Sequence, residues 1–294
     1  MDARTAFKTG IARLRDADVA SFTLAAELLL LHVVGRDRTW FYAHPEDEIS
    51  AEQEERFLSL IARRAAGEPT QYLTGTQEFW GLEFEVTPDV LIPRPETEHV
   101  IEIALDRLAL REIRAGRKQT LSGEGLRIAD VGTGSGCIVA ALAKDLPDAR
   151  ILGTDISSAA LNVARRNAAR LGFGDRIEFI ESNLLDKISP APRFHLIVSN
   201  PPYIGRNEAP TLAREVRDHE PATALFGGEE GYELYADLIT QSAEYLEPGG
   251  ILVLELGHNS LPAVQPLFET QDWTHVGVAN DLAGIPRVIA AERA

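Results

Sequence analysis

The segment SNPPYIG (Ser199–Gly205) brings together residues that can hold a planar NH2 group. Two consecutive prolines cannot continue a central strand, because neither has an N–H to donate. The side-chain oxygen of Asn200 can accept one N–H, and the carbonyl of Pro201, held in direction by the ring of Pro202, can accept the other. The face of Tyr203 can stack on the planar group.

These residue types suit methyl transfer to an amide or amine nitrogen. Such a nitrogen is a poor nucleophile, because its lone pair is delocalised. Two fixed acceptors would aim the lone pair at an electrophilic carbon and stabilise the developing positive charge. No general base is required, since the methylated cation loses its proton to water. We predict that Asn200, Pro201 and Tyr203 are catalytic and that they bind the substrate together with Pro202.

A second group of residues, DVGTGSG (Asp130–Gly136), follows an earlier strand. Its alternating glycines allow a tight turn and a close approach of a ligand to the backbone. Asp155 lies nineteen residues beyond Gly136, where a carboxylate can accept hydrogen bonds from ribose hydroxyls. A dinucleotide fingerprint would place its third glycine at Cys137. The spacing, and the acidic Asp130, therefore favour the positively charged S-adenosylmethionine over a nicotinamide cofactor.

The predicted cofactor site also includes two residues near the end of the third strand, which either contact the adenine ring or only shape the loop. The complete set of predicted cofactor-binding residues is Asp130, Gly132, Thr133, Gly134, Ser135, Gly136, Asp155, Asn183, Leu184 and Asn200.

Strands and helices alternate in the second part of the chain, a rhythm that predicts an α/β fold with a largely parallel, doubly wound sheet. A helix begins at Pro95 and continues to about Ala115, and the segment Pro201–Gly231 is predicted to be irregular. The predicted strands are Arg127–Val131, Arg150–Thr154, Ile177–Glu181, His195–Ser199, Ile251–Leu256, and an antiparallel pair at Trp273–Val278 and Arg287–Ala291; the helices are Gly136–Asp145, Ser158–Leu171, Tyr232–Leu246 and a short Leu261–Phe268.

The first part of the chain has a different pattern. Apolar residues at helical spacing and a capping box at Ser50 and Gln53 predict helices, and Gln77–Val86 predicts a hairpin. We therefore predict an N-terminal helical substrate-recognition domain at residues 1–75, a hairpin linker at 76–94 and a catalytic domain at 95–294.

Composition narrows the class of partner. The chain has 294 residues and a net charge of −16, whereas nucleic-acid binders need a basic surface. No run reaches the ~18 apolar residues that span a bilayer, and no secretory signal pattern precedes the first helix. Cys137 is the single cysteine, and no zinc-ligand spacing occurs. We expect a cytoplasmic protein without a metal site, a membrane partner or direct contact with nucleic acid.

The chain closely resembles the release factor glutamine methyltransferases, a family of class I methyltransferases that use S-adenosylmethionine. The SNPPY motif alone is shared with adenine methyltransferases, whereas the VLIPRPETE stretch and the helical front part are far more specific. The stretches that carry the resemblance are AAGEPTQYLTGTQEFWGLEFEV (Ala65–Val86), VLIPRPETE (Val90–Glu98), DVGTGSG (Asp130–Gly136), SNPPYI (Ser199–Ile204) and DLAGIPRV (Asp281–Val288).

The resemblance implies the fold, the reaction and the partner. It implies a Rossmann-like sheet with an antiparallel final strand, and methylation of the glutamine in the Gly-Gly-Gln motif of peptide chain release factors. It also implies that Glu220 shapes the glutamine pocket. Arg94 and Glu98 either cover the cofactor pocket, as the resemblance implies, or form a surface ion pair at the start of a helix. The alternative is an adenine methyltransferase acting on DNA or RNA, which would use the same motif but would need a basic face.

Overall fold

The structure is a computed structural model that describes residues 1–114, 116 and 122–294. Its first elements are helical, and they are followed by a hairpin, a short 3-10 helix at Pro95–Thr97 and a long helix. In chain order they are α1 (Ala3–Asp16), α2 (Phe22–Val34), α3 (Arg38–Ala43), α4 (Ala51–Ala65), α5 (Thr70–Thr74), β1 (Thr76–Phe79), β2 (Leu82–Glu85) and α6 (Glu98–Arg114).

From residue 122 onward, strands and helices alternate as predicted. The elements are β3 (Arg127–Val131), α7 (Cys137–Asp145), β4 (Arg150–Asp155), α8 (Ser158–Arg170), β5 (Ile177–Glu181), β6 (Phe194–Ser199), β7 (Ile204–Gly205), α9 (Arg214–His219), α10 (Ala222–Leu225), β8 (Phe226–Gly228), α11 (Glu233–Tyr245), β9 (Leu246–Glu255), α12 (Leu261–Val264), β10 (Trp273–Asn280) and β11 (Pro286–Arg293), with 3-10 helices at Arg206–Thr211 and Gln265–Phe268.

Two compact units make up the chain. One contains Met1–Thr76 together with Leu212–Glu220, and the other contains Gln77–Thr211 together with Pro221–Ala294. In the first unit, α1, α2 and α4 pack around fully buried side chains such as Phe57. The boundaries of the functional domains, 1–75, 76–94 and 95–294, stay a prediction.

The second unit is built on a seven-stranded sheet with the order β10-β11-β9-β6-β3-β4-β5. Strands β9, β6, β3, β4 and β5 are parallel, and β11 is antiparallel to both of its neighbours. The predicted α/β fold, with a mostly parallel sheet and an antiparallel strand at the end of the chain, is confirmed. The predicted antiparallel pairing of the last two strands is also confirmed.

Alternate residues of each central strand enter separate cores on the two faces of the sheet. Ile128 and Val198 belong to the core that includes α6 and α7, whereas Ala129 and Ile197 belong to the core that includes α11. Both faces are therefore covered, which leaves the strand ends as the accessible edge.

The hairpin β1–β2 packs into the same core as α6 and α7. Phe79 and Phe84 are 1% and 0% exposed. The turn between the strands consists of Trp80 and Gly81, both with positive φ, as a two-residue hairpin turn requires. The hairpin is thus an integral part of the second unit.

The segment between Pro201 and Gly231 is more ordered than the sequence predicts. It contains the parallel pair β7–β8, the helices α9 and α10 and a 3-10 helix. Each of these elements has two to six residues, which is too few for hydrophobic periodicity to indicate a helix or a strand. For the helix α6, which was predicted to run from Pro95 to about Ala115, the predicted last residue, Ala115, lies outside the described residues.

Within the described ranges, no helix is both long enough and apolar enough to cross a membrane.

Candidate functional site

A cavity of about 370 Å³ lies where β3, β4, β5 and β6 end. The carboxyl ends of parallel strands are where α/β sheets bind ligands, because the connecting loops leave a crevice there. Residues from both predicted motifs line this one cavity. Those of the predicted site residues that line it are Gly132, Thr133, Gly134, Ser135, Asp155, Asn183, Leu184, Asn200, Pro201 and Pro202.

The glycine loop is fixed to the end of β4. The backbone N–H groups of Gly132 and Thr133 both donate to the carbonyl of Thr154, at 2.8 Å each. All three glycines of the loop have positive φ. Gly136 does not line the cavity; a Cβ at this position would lie 3.1 Å from the Cβ of Ala164 on α8. It therefore allows close packing of helices, while Gly132 and Gly134 face the ligand side.

Asp155 holds the loop as well as facing the cavity. One oxygen accepts the N–H of Gly134 and the other accepts the N–H of Ser157, each at 2.9 Å. Burial raises the pKa of Asp155, although these backbone hydrogen bonds oppose the rise. Each carboxylate oxygen can accept a second hydrogen bond, so Asp155 can still bind hydroxyl groups of a ligand.

Asp130 lies behind the loop, on β3, and is 0% exposed. Among the described residues, no donor makes a hydrogen bond of normal geometry to either of its oxygens. Burial raises its pKa to about 7; the charge of Asp155 acts in the same direction, and the hydroxyl of Thr133 opposes it. Asp130 does not line the cavity, so it can act on a ligand only through its electric field.

Asn200 directly follows the strand β6 and lines the cavity. Its side-chain Nδ2 donates to the hydroxyl of Thr97 at 3.0 Å. Thr97 is 2% exposed and is the last residue of the 3-10 helix Pro95–Thr97. With the nitrogen end of the amide bound to Thr97, the oxygen end of Asn200 is the one that remains for a donor in the cavity.

Tyr203 does not line the cavity. Its hydroxyl lies 3.4 Å from Oε1 of Glu255, and its ring lies beside Gly257, where a Cβ would approach it to 2.8 Å. Burial raises the pKa of Tyr203, and the charge of Glu255 adds to the rise. The predicted stacking of this ring on a substrate stays a prediction.

Glu220 belongs to the first compact unit, at the C-terminal cap of α9. Its side chain is buried, with 6% exposed. Its predicted contribution to the glutamine pocket stays a prediction.

Arg94 lines the cavity, but Glu98 does not. Instead, Glu98 accepts the backbone N–H of Trp80 at 2.8 Å. The prediction that Arg94 and Glu98 cover a cofactor pocket stays a prediction.

Several residues of the site do not stand out in the sequence. Ile156 lines the cavity with 60% of its surface exposed, an unusual exposure for a large apolar side chain. Glu255 is the last residue of β9, and Asn200 directly follows β6. A polar residue at the end of an apolar strand is the sequence pattern that could have indicated Glu255. Asn167 on α8 is 0% exposed. Its side chain forms hydrogen bonds with the backbone of Glu85 and Ser135, and no sequence pattern indicates these contacts.

The residues present fit S-adenosylmethionine. A Cβ on Gly132 or Gly134 would meet no atom within 4 Å, so the loop backbone faces open space. Asp155 presents oxygens for ribose hydroxyls. The buried carboxylate of Asp130, to which no described residue donates a hydrogen bond of normal geometry, favours a positive charge nearby. Cys137, whose pKa burial raises to about 12, lines the cavity as an unreactive thiol.

Comparisons with known proteins find relatives that match this chain over nearly its whole length. The family model described as PrmC N-terminal domain matches residues 5–75, and the one described as Methyltransferase small domain matches residues 118–218. The release factor glutamine methyltransferase of Koribacter versatilis is 45% identical over 293 residues, which cover 100% of this chain and 99% of that protein. The protein of the same name from Bradyrhizobium diazoefficiens is 41% identical, with 98% and 94% covered.

A solved structure supports the fold. The ribosomal protein L11 methylase from Lactobacillus delbrueckii subsp. bulgaricus superposes with a TM-score of 0.50 at 22% sequence identity, covering 71% of this chain and 83% of that chain. The predicted Rossmann-like fold of the sheet is thereby confirmed.

Proposed function

Since this chain belongs to the release factor glutamine methyltransferase family, we propose that it methylates the glutamine of the Gly-Gly-Gln motif in peptide chain release factors and so modulates translation termination. The methyl group comes from S-adenosylmethionine and is added to the side-chain amide nitrogen. The observation that carries this proposal is the single cavity lined by both the glycine loop and the segment from Asn200 to Pro202.

The cofactor is held, in this proposal, by the ends of β3, β4 and β5. The backbone of Gly132–Ser135 lies along it, Asp155 accepts hydrogen bonds from the ribose, and Ile156 and Leu184 cover the adenine ring from their positions on the cavity wall. When bound, S-adenosylmethionine supplies an electrophilic methyl carbon on a positively charged sulfur. Asp130 stabilises that positive charge through its electric field.

The amide group is held by the segment that follows β6. Oδ1 of Asn200 accepts one N–H of the glutamine NH2 group, and the Pro201 carbonyl accepts the other. Both acceptors become stronger partners as positive charge develops on the nitrogen, so they stabilise the transition state more than the ground state. Tyr203 stacks on the amide plane, and Glu220 shapes the pocket for the glutamine side chain. The proton leaves to water after the transfer.

The two parts of the chain have separate roles in this proposal. Residues 1–75 recognise the release factor, residues 76–94 connect the two parts, and residues 95–294 perform the transfer. The match of residues 5–75 to a dedicated N-terminal family model supports a distinct role for the front part. Because its substrates act in translation, we place the protein in the cytoplasm.

Mass spectrometry of a purified release factor tests this proposal. The protein and the release factor are incubated with S-adenosylmethionine that carries an isotope-labelled methyl group, and the release factor is then digested. We expect one labelled methyl group on the side-chain nitrogen of the glutamine in the Gly-Gly-Gln peptide. A release factor in which that glutamine is replaced by glutamate serves as the control. Label elsewhere, or no label, would refute the proposed function.

A further inference from the structure

Three polar side chains on separate elements lie close together, and two of them, Thr97 and Asn200, line the cavity. Asn200 follows β6, Thr97 ends a 3-10 helix, and Glu255 ends β9. The register of the sheet brings two of them side by side, because Ser199 pairs with Leu254. Thr97 and Glu255 are each 2% exposed, so water competes little for their hydrogen bonds.

Glu255 has few partners for a buried carboxylate. Its Oε1 lies 3.4 Å from the Tyr203 hydroxyl, and in the described part of the chain its Oε2 has no hydrogen-bond donor of normal geometry. Burial raises its pKa to about 7, while the hydroxyls of Thr97 and Tyr203 oppose the rise. The charged groups around it are Arg287, which also opposes the rise, and Glu96, which adds to it.

The hydroxyl of Thr97 can donate or accept, so its neighbours decide the direction of its proton. At a pH above its pKa, Glu255 is ionised and can only accept hydrogen bonds. The hydroxyl oxygen of Thr97 accepts from Nδ2 of Asn200 at 3.0 Å, which leaves the Thr97 proton for another acceptor. The Glu255 carboxylate, whose pKa the Thr97 hydroxyl lowers, is the acceptor beside it. An asparagine amide has no orientation of its own, since its two ends are nearly equal in size.

We propose that Glu255 is a positioning residue, which fixes the side-chain amide of Asn200 through the hydroxyl of Thr97. This inference rests on the proposed function, in which Oδ1 of Asn200 accepts an N–H of the glutamine. With a neutral amide at position 255, a side-chain NH2 can donate to Thr97. The Thr97 proton then turns toward Oδ1 of Asn200, and Asn200 presents its NH2 group to the substrate. The NH2 groups of Asn200 and of the glutamine are both donors, so no hydrogen bond forms between them.

The first test is a double-mutant cycle of Glu255→Gln and Asn200→Ala. Glu255→Gln keeps the size of the side chain but removes its charge. At saturating cofactor and release factor, we expect it to lower kcat about 10-fold or more, since losing one aligned polar group in such a site costs up to about 100- to 1000-fold. Cofactor Kd is expected to change less than about twofold. In the Asn200→Ala background the same substitution should leave kcat unchanged, because the residue through which it acts is gone.

Substitutions of Thr97 provide the second test. Thr97→Val removes the hydroxyl at nearly constant volume and should lower kcat about as much as Glu255→Gln, whereas Thr97→Ser keeps the hydroxyl and should restore most of the rate. Ser242→Ala is the matched control, because it removes a buried hydroxyl on α11 that has no hydrogen-bond partner among the described residues. It should leave kcat unchanged.

Two kinetic results would overturn the inference. One is an equal loss of kcat from Glu255→Gln in both backgrounds, which would indicate a general structural role. The other is an unchanged kcat for Glu255→Gln or Thr97→Val. The wild-type reaction on the release factor, measured in the same assay, reports separately on the proposed function.

A spectroscopic readout needs no substrate. In the wild-type protein, the side-chain NH2 resonance of Asn200 should be protected from hydrogen exchange by its bond to Thr97, and Glu255→Gln should remove that protection. Unchanged protection in the variant would refute the positioning role even if the wild type fails to methylate a release factor.

Discussion

Two aspartates near the glycine loop, the buried Asp130 and the half-buried Asp155, differ in their hydrogen bonding. Asp155 accepts backbone N–H groups of Gly134 and Ser157, which offset part of the cost of burying its charge before any ligand binds. Asp130 has no donor of normal geometry in the described ranges, so its charge lacks such support. We infer that Asp155 organises the site in advance, while Asp130 makes its affinity depend on the charge of the ligand.

Replacement of Asp155 should mainly weaken cofactor binding. Loss of a hydrogen bond to a charged group costs about 1.5–3 kcal/mol, so Asp155→Ala should raise the Kd for S-adenosylmethionine about 10- to 100-fold. Isothermal titration calorimetry measures this, with the exposed Asp175→Ala as the control. A Kd within twofold of wild type would show that Asp155 does not hold the cofactor.

Cofactor affinity should also depend on pH through Asp130. Because its pKa is raised to about 7, the cofactor-free protein takes up a proton there as the pH falls below that value. The protonated carboxyl does not attract a positive charge, so the Kd should rise by up to about tenfold per pH unit. The groups around it are Thr133, Asp155 and Cys137. Titrations on both sides of this pKa should show the dependence in the wild type and a flat profile in Asp130→Asn.

At the scale of elements, Asn167 on α8 connects the hairpin to the glycine loop. Its Nδ2 donates to the carbonyls of Glu85 and Ser135, at 3.0 and 2.9 Å, and its Oδ1 accepts the N–H of Glu85 at 2.7 Å. One buried amide thus holds three backbone groups of two elements that are far apart in the sequence. The hairpin therefore contributes to the shape of the cofactor loop without lining the cavity.

Asn167→Ala should destabilise the protein by about 2–3 kcal/mol, because it leaves buried backbone groups without partners. Chemical denaturation measures the free energy of unfolding. Asn162→Ala, an exposed position on the same helix, should change it by less than about 0.5 kcal/mol. Equal stability of the two variants would mean that the Asn167 hydrogen bonds contribute little.

The sequence predicts the elements better than the contacts between them. The strand predicted at Arg127–Val131 has the same bounds as β3. By contrast, Thr97 and Asn200 are 103 positions apart, and no local pattern indicates their hydrogen bond. Asp155 and Asn200 could be predicted, because a parallel sheet places the ends of its strands at one edge. Thr97, which orients Asn200, could not be predicted, because its position depends on the packing of distant segments.

At the scale of the whole molecule, the first unit contains a segment distant in sequence. Leu212–Glu220 groups with residues 1–76, and within this unit the buried Arg64 pairs with Glu215. A chain-order reading assigns this segment to the catalytic part, because hydrophobic periodicity carries no information on which distant element a short helix packs against.

The acidic character of the molecule leads to a prediction about partners. With a net charge of −16, the protein should bind DNA or RNA only weakly, since affinity for phosphates comes mostly from counterion release by basic groups. Fluorescence anisotropy with a labelled RNA hairpin, titrated over a range of salt concentrations, measures this. Tight binding with a steep salt dependence would instead support an adenine methyltransferase.

The most direct test of the central claim is the single-turnover rate of methyl transfer by Asn200→Ala at saturating cofactor and release factor. If the Oδ1 of Asn200 holds the glutamine NH2 group toward the methyl carbon, the rate should fall about 100- to 1000-fold, with the fold and Tm unchanged. A rate equal to that of the wild type would contradict the account.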